Sequence, residues 1–359
     1  MSLDFALERT SSPAGDDRLA QALAAPGFGR VFTDHMVSAV WTPADGWHDG
    51  RVRPYGPLSL DPATQVFHYA QAIFEGFKAY RQPDGSVATF RPAANGARFV
   101  RSAQRMALPA LDVDDFVRAA DALIRIDERW VPTAPDASLY LRPFMMATEV
   151  GLGVRPASEV TFLLIASPSA SYFAGGAKPV TIWLSEDYTR AAAGGTGAAK
   201  CAGNYAASLV AQQEAIANGC DQVVFLDATE RRWVEELGGM NIFFVLDDGT
   251  LVTPELTGSI LEGVTRDTIL TLAKELGHEV EERRVDVDEW RKGVETGRIT
   301  ETFACGTAAV VASIGKLRWH GGEAAAAAAT PVADEIRETL VGIQQGRVLD
   351  THGWMHRVP

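Results

Sequence analysis

The sequence predicts a mixed α+β protein of two domains, and three observations carry that prediction. At 359 residues the chain is about twice an ordinary domain. Short β-branched and aromatic runs alternate with stretches of helical period in both halves. A stretch bearing Gly175, Gly176 and Pro179, from Ser171 to Pro179, breaks the pattern near the middle. We therefore place a small N-terminal α+β domain at 1–173, a linker at 174–179 and a large C-terminal domain at 180–359.

Composition narrows the class. With 33 Lys+Arg against 46 Asp+Glu the net charge is −13, which disfavours nucleic acid and anionic membrane surfaces as partners. An apolar content of 47% rules out intrinsic disorder. Cys201, Cys220 and Cys305 are too few and too scattered for a disulfide framework, and none forms CxxC spacing, so no metal site is expected. The N-terminus has no apolar leader and no run reaches 18 apolar residues, so the expectation is a cytoplasmic enzyme.

The elements follow in order. About 25 polar, Ala-rich residues read as a loosely held arm. A strand is expected over Phe32–Trp41, then turn-rich chain over Trp47–Pro57. Tyr69–Gly76 reads as helix or loop. Strands at Phe77–Arg81 and Val87–Phe90 flank the hairpin signal Asp84-Gly85. Pro92 opens a helix to about Met106, and Val113 opens another with Phe116, Ala120, Leu123, Ile124 and Trp130 at helical spacing. Ser138–Met146 and Val160–Ser167 read as strands. In the second half, strands are expected at Val180–Ser185, Gln222–Asp227, Asn241–Leu246 and Glu279–Arg284. Helices are expected at Asn204–Asn218, capped by Gly219, at Thr265–Leu276, and after the N-cap Asp286. Thr302–Val311 reads as an apolar strand broken by Gly306. The alanine run within Glu323–Thr330 reads as a short helical or loop insertion.

The most informative window is Ala191–Gln213, AAAGGTGAAKCAGNYAASLVAQQ. Its one charged residue in 23 is Lys200, where the chain average of 22% predicts about five. Such a lysine either snorkels to water from a loop or is a desolvated amine fit to form a Schiff base. A Walker loop fails because Ala199 and Cys201 flank the lysine. A dinucleotide fingerprint fails because position 200 is not Gly. Tyr205, at a helix opening, is a half-buried aromatic or a hydrogen-bonding phenol. Glu235-Glu236-Leu237-Gly238-Gly239 is an exposed acidic turn or a carboxylate brought close to a ligand by small neighbours. Gly263-Val264-Thr265-Arg266 is a plain helix start or an anion site. Gly306-Thr307-Ala308-Ala309 is a bulge or a second anion cradle.

Taken together these segments resemble the branched-chain amino acid aminotransferases, class-IV (fold-type-IV) pyridoxal-phosphate enzymes. The resemblance runs through VFTDHM at 31–36, FEGFKAY at 74–80, FRPAANGARF at 90–99, SLYLRP at 138–143 and SYFAGG at 171–176. It continues in GGTGAAKCAGNYAASL at 194–209, NGCDQVVFLD at 218–227, EELGGMNIFFV at 235–245, LEGVTR at 261–266 and CGTAAVV at 305–311. It implies a two-domain fold of the D-amino-acid-aminotransferase type with the cofactor between the domains. It also implies a homodimer exchanging the amino group between L-Leu, L-Ile or L-Val and 2-oxoglutarate. Lys200 would be the Schiff-base lysine, Tyr205 would bond the phenolic oxygen, and Glu236 would hold the pyridine nitrogen protonated. Arg98, the amides of Val264 and Thr265, and the hydroxyl of Thr307 would grip the phosphate. The amide of Ala308 would help bind the substrate carboxylate. Phe28, Tyr69, Phe74, Tyr140 and Tyr172 would line the side-chain pocket, and Arg142 would reach the distal carboxylate of the dicarboxylic partner. Two departures stand out. Gly239 replaces a Thr of animal members, and Ala309 and Ala312 replace their redox-active CxxC pair, so no thiol switch is expected there.

Overall fold

The computed structural model describes residues 3–170, 178–326 and 329–359. By its contacts the chain divides into two units, Met1–Tyr172 with Ala199–Ala202 and Gly342–Pro359, and Phe173–Ala198 with Gly203–Val341. Each unit is built on one sheet.

The first sheet contains β1 (Ala6–Leu7), β2 (His35–Thr42), β3 (Gly46–Pro54), β4 (Ala72–Phe74), β5 (Phe77–Arg81), β6 (Val87–Phe90), β7 (Ser138–Ala147) and β8 (Val160–Ser169), with the C-terminal strand β18 (Met355–Arg357). Its order is β1-β3-β2-β8-β7-β5-β6-β18, with β4 also on β7. All pairs are antiparallel except β1 with β3. Helix α1 is Asp16–Ala24 and α2 is Gln65–Tyr69. Two longer helices, α3 (Pro92–Arg105) and α4 (Val113–Ile126), cover this sheet. Pro92 suits the first turn of α3, and the Asp112 carboxylate caps α4 by accepting from the Asp114 amide. Between sheet and helices, Phe77, Phe99, Phe116 and Phe162 pack ring against ring at 5.4–5.9 Å. Burying each such ring contributes about 2 kcal/mol of transfer free energy.

The second sheet holds β9 (Val180–Ser185), β10 (Gln222–Leu226), β11 (Val234–Leu237), β12 (Asn241–Leu246), β13 (Leu251–Thr253), β14 (Val280–Glu282), β15 (Ile299–Gly306), β16 (Val310–Trp319) and β17 (Gly322–Ala325). The order is β11-β10-β9-β16-β15-β12-β13-β14, with β17 also on β16. Parallel pairs (β9 with β10 and β16, β13 with β14) sit among antiparallel ones. The helices are α5 (Ala202–Ala207), α6 (Leu209–Ala217), α7 (Val264–Glu275), α8 (Val287–Thr296) and α9 (Pro331–Gln344). Asp286 caps α8 through the Asp288 amide, as expected.

Several expectations are corrected. The N-terminal arm is docked: β1 pairs with β3, Leu3 is buried, and the Leu3 amide donates to the Asp115 carboxylate. Trp47–Pro57 holds β3, whose pairing with β2 outweighs its turn residues. The single helix at Asn204–Asn218 is two, broken where the Ser208 hydroxyl bonds back to the Tyr205 carbonyl at 2.7 Å. Thr302–Val311 is a hairpin, not one broken strand. Residues 307–309 form its turn, and Val310 leaves the turn at φ +62°, a conformation that nothing in a β-branched residue advertises. Residues 322–325 are strand β17. Lys200 and the C-terminal strand belong with the first unit, because residues 200 and 201 bond to β4 and β18 pairs with β6. The expected linker, 174–179, lies outside the described residues up to 177.

Candidate active site

The first unit assembles a cluster of cations against aromatic faces. Lys200 is placed by its backbone. Its carbonyl accepts from the Phe74 amide at 3.0 Å, its amide donates to Ser102 Oγ at 3.0 Å, and Cys201 bridges Ile73. Its Nζ then stands 4.9 Å from the Phe74 ring centroid. The Arg142 guanidinium lies 4.9 Å from the same ring and 5.3 Å from that of Tyr140, and it donates to the Tyr140 hydroxyl at 2.9 Å. Phe28 meets the Tyr140 ring edge-on at 4.9 Å. Gly76 is needed here, since a Cβ there would overlap the Tyr140 hydroxyl. The Arg142 Nε–H is buried without an acceptor, and no carboxylate pairs with its guanidinium among the described residues. This leaves Arg142 with a buried donor suited to an incoming carboxylate.

Arg98 lies on α3, as does Ser102, and is buried. Glu75, the residue after Phe74, accepts from Arg98 Nε at 2.7 Å and from its second nitrogen at 2.9 Å. This bidentate pair fixes the guanidinium and joins it to the Lys200–Phe74 cluster. Tyr69 is not brought into that cluster. It is 38% exposed at the end of α2, where its hydroxyl donates to the Leu152 carbonyl, and Ala70 at φ +49° turns the chain away. Tyr172 lies outside the described residues.

The second unit assembles a hydrogen-bonded ionic group. Glu236, on β11, is 2% exposed. Its Oε1 accepts from the Arg190 guanidinium at 2.6 Å and the Leu261 amide at 2.8 Å, and its Oε2 from Asn241 Nδ2 at 3.4 Å. The acidic segment is thus a buried strand rather than an exposed turn. Asn241 also donates to the Leu261 carbonyl at 3.0 Å, and its side chain fills the space beside Gly263, where a Cβ would overlap it. Gly263 precedes α7, so Asn241 ties the Glu236 carboxylate to the start of that helix, whose first turn carries the amides of Val264 and Thr265. The β12–β15 register pairs Asn241 with Cys305, which sets the Thr307–Ala308 turn at the same end of the sheet. The Tyr205 ring lies over Gly239, where an added Cβ would stand in ordinary contact at 3.5 Å. Cys305 is fully buried, and that burial pushes its thiol far above the usual range.

Glu75, Ser102, Arg190 and Asn241 were missed by sequence reasoning. Glu75 and Asn241 stand inside recognised motifs, but spacing does not say where a side chain aims. Arg190, just before the charge-poor window, reads as an ordinary loop arginine.

A buried carboxylate joined to a helix N-terminus offers a place for a protonated ring nitrogen at one end and a phosphate at the other. These groups in the second unit, and an amine at Lys200 in the first, are of the kinds that pyridoxal-phosphate aminotransferase chemistry uses. The model of the amino-transferase class IV family matches residues 72–317, and the chain belongs to that family. Several of its relatives are named as branched-chain-amino-acid aminotransferases. It is 60% identical to the probable branched-chain-amino-acid aminotransferase of Streptomyces coelicolor over 98% of this chain and 97% of that one. The branched-chain amino acid aminotransferase of Escherichia coli superposes with a TM-score of 0.75 at 28% identity, over 90% of this chain and all of that one. That of Thermobaculum terrenum, solved in its PLP-bound holo form, gives 0.68 at 25% identity, over 89% of this chain and 98% of that one.

Proposed function

We propose that these residues act on one pyridoxal phosphate to move an amino group reversibly between L-Leu, L-Ile or L-Val and 2-oxoglutarate, giving branched 2-oxo acids and L-glutamate. The observation that carries the assignment is the Glu236–Asn241–α7 connection, because it presents a fixed negative charge and a positive helix end within one rigid unit. When bound, the cofactor supplies an electron sink for the carbanion formed at the substrate Cα.

The chain's own residues do the rest. Glu236 would hold the pyridine nitrogen protonated, and the Tyr205 hydroxyl would bond the phenolic oxygen. Arg98, the Val264 and Thr265 amides and the Thr307 hydroxyl hold the phosphate. The Lys200 amine would carry the proton at the substrate Cα. The Ala308 amide holds the α-carboxylate. Phe28, Phe74 and Tyr140, with Tyr172, would exclude water around a branched side chain. Arg142 receives the second carboxylate of glutamate or 2-oxoglutarate, so one pocket serves both partners. Because Gly239 has no hydroxyl, backbone amides and Tyr205 carry the role of the Thr in animal members.

We further propose a cytoplasmic homodimer. All three cysteines are free and buried, which suits a reducing compartment. No helix among the described residues is long and apolar enough to cross a membrane. Phe67, Val150, Leu152 and Val154 are exposed near Tyr69, an apolar surface suited to a second copy. Sedimentation of the purified protein tests the dimer. A panel of L-amino acids with 2-oxoglutarate tests the reaction, with turnover expected for Leu, Ile and Val and none for D-Ala. Turnover of D-Ala but not L-Leu would overturn the assignment.

A further inference from the structure

Arg190 follows β9 in the chain and precedes the Gly-rich loop that leads to Lys200. It is 6% exposed. One guanidinium nitrogen reaches Glu236 Oε1 at 2.6 Å, the Ser259 carbonyl, and the Gly197 carbonyl at 3.3 Å. Glu235, on the opposite face of β11, takes the Ser259 hydroxyl; burial raises its pKa, while the Ser259 bond and the Arg190 charge pull it down. Glu236 itself is a deeply buried carboxylate in a direct ion pair with Arg190.

Burial alone would drive Glu236 toward its protonated form, and a protonated Glu236 could not keep a pyridine nitrogen charged. A guanidinium at 2.6 Å opposes that by stabilising the anion. It also fixes the carboxylate's rotation, because Oε1 takes both short bonds, from Arg190 and from the Leu261 amide. We propose that Arg190 is a positioning residue of this aminotransferase: it keeps Glu236 ionised and oriented, and so sets how strongly the ring nitrogen is held protonated. The proposal rests on the assignment of Glu236 given above.

The test is a double-mutant cycle on the holoenzyme, read by kcat, by KM for L-Leu, and by the visible absorption of the bound cofactor against pH, with pyridoxal phosphate Kd measured on the apoenzymes. Arg190→Gln is expected to lower kcat at least tenfold with KM within about threefold, and to change the absorption profile. Arg190→Lys, which keeps the charge, is expected to recover most of both. In the Glu236→Gln background, Arg190→Gln is expected to cost less than about threefold further, since Arg190 acts through Glu236. Should Arg190→Gln alone fail to fold because a buried carboxylate is left unpaired, the double variant removes that charge and still decides the question. An Arg190→Gln enzyme with wild-type kcat and absorption profile overturns the proposal. So does a further tenfold loss in the double variant, or a defect that lysine does not relieve. If Glu236→Gln alone leaves absorption and kcat unchanged, it is the Glu236 assignment that falls.

Discussion

The two units hold charge in opposite ways. In the first, Lys200 and Arg142 rest against the Phe74 ring, and Arg142 keeps a buried N–H without an acceptor. In the second, Glu236 is fixed by Arg190, Asn241 and the Leu261 amide. Aromatic faces attract cations with little directional demand, whereas hydrogen-bonded ion pairs set one geometry. The first arrangement suits the partners of the proposed reaction, whose side chains are apolar in one half-reaction and carboxylate in the other. The second suits a group that must not move.

That contrast can be broken or sharpened. The largest effect is expected at the amine. Lys200→Ala should lower kcat by at least about a thousandfold, measured with L-Leu and 2-oxoglutarate, while full turnover would remove the lysine from the account. Next, Glu236→Gln should cost about a hundredfold in kcat with KM little changed, because a neutral amide no longer favours a charged ring nitrogen. Arg142→Met should be selective. Its kcat/KM for 2-oxoglutarate should fall about ten- to a hundredfold, while that for 2-oxo acids of Leu and Val stays within about threefold. Equal losses for both would make Arg142 structural.

The smallest effect concerns Glu235, behind the rigid group. Its folded pKa lies above the ordinary carboxylate value because of burial, so the folded state holds its proton more tightly. Stability is then full below the unfolded pKa and falls as pH rises through the folded one. Glu235→Gln removes that loss. Thermal unfolding should show equal Tm values for variant and wild type near pH 4 and a higher Tm for the variant at neutral pH. The reverse order would mean that Glu235 is ionised and compensated.

Much of this was legible in the chain. Strands such as Phe77–Arg81, Val87–Phe90, Val180–Ser185 and Asn241–Leu246 have sharp hydrophobic runs, and the structure places them there. The lone charge of Lys200 marked its window. What stayed hidden depends on long-range pairing. β3 is a strand because β2 lies beside it, and β17 because β16 does. The hairpin at 307–309 depends on Val310 taking a left-handed conformation. Glu235 and Glu236 look like a solvated turn until β10 pairs with β11 and buries them. Arg190 became informative only when its nitrogen was seen on Glu236.

The central claim is that Lys200 carries the cofactor. Borohydride reduction of the holoenzyme, followed by digestion and mass spectrometry, tests it most directly. The account predicts a pyridoxyl phosphate group on the peptide containing Lys200 and on no other lysine. Label on a different lysine, or a colourless protein that takes up no pyridoxal phosphate, would contradict it.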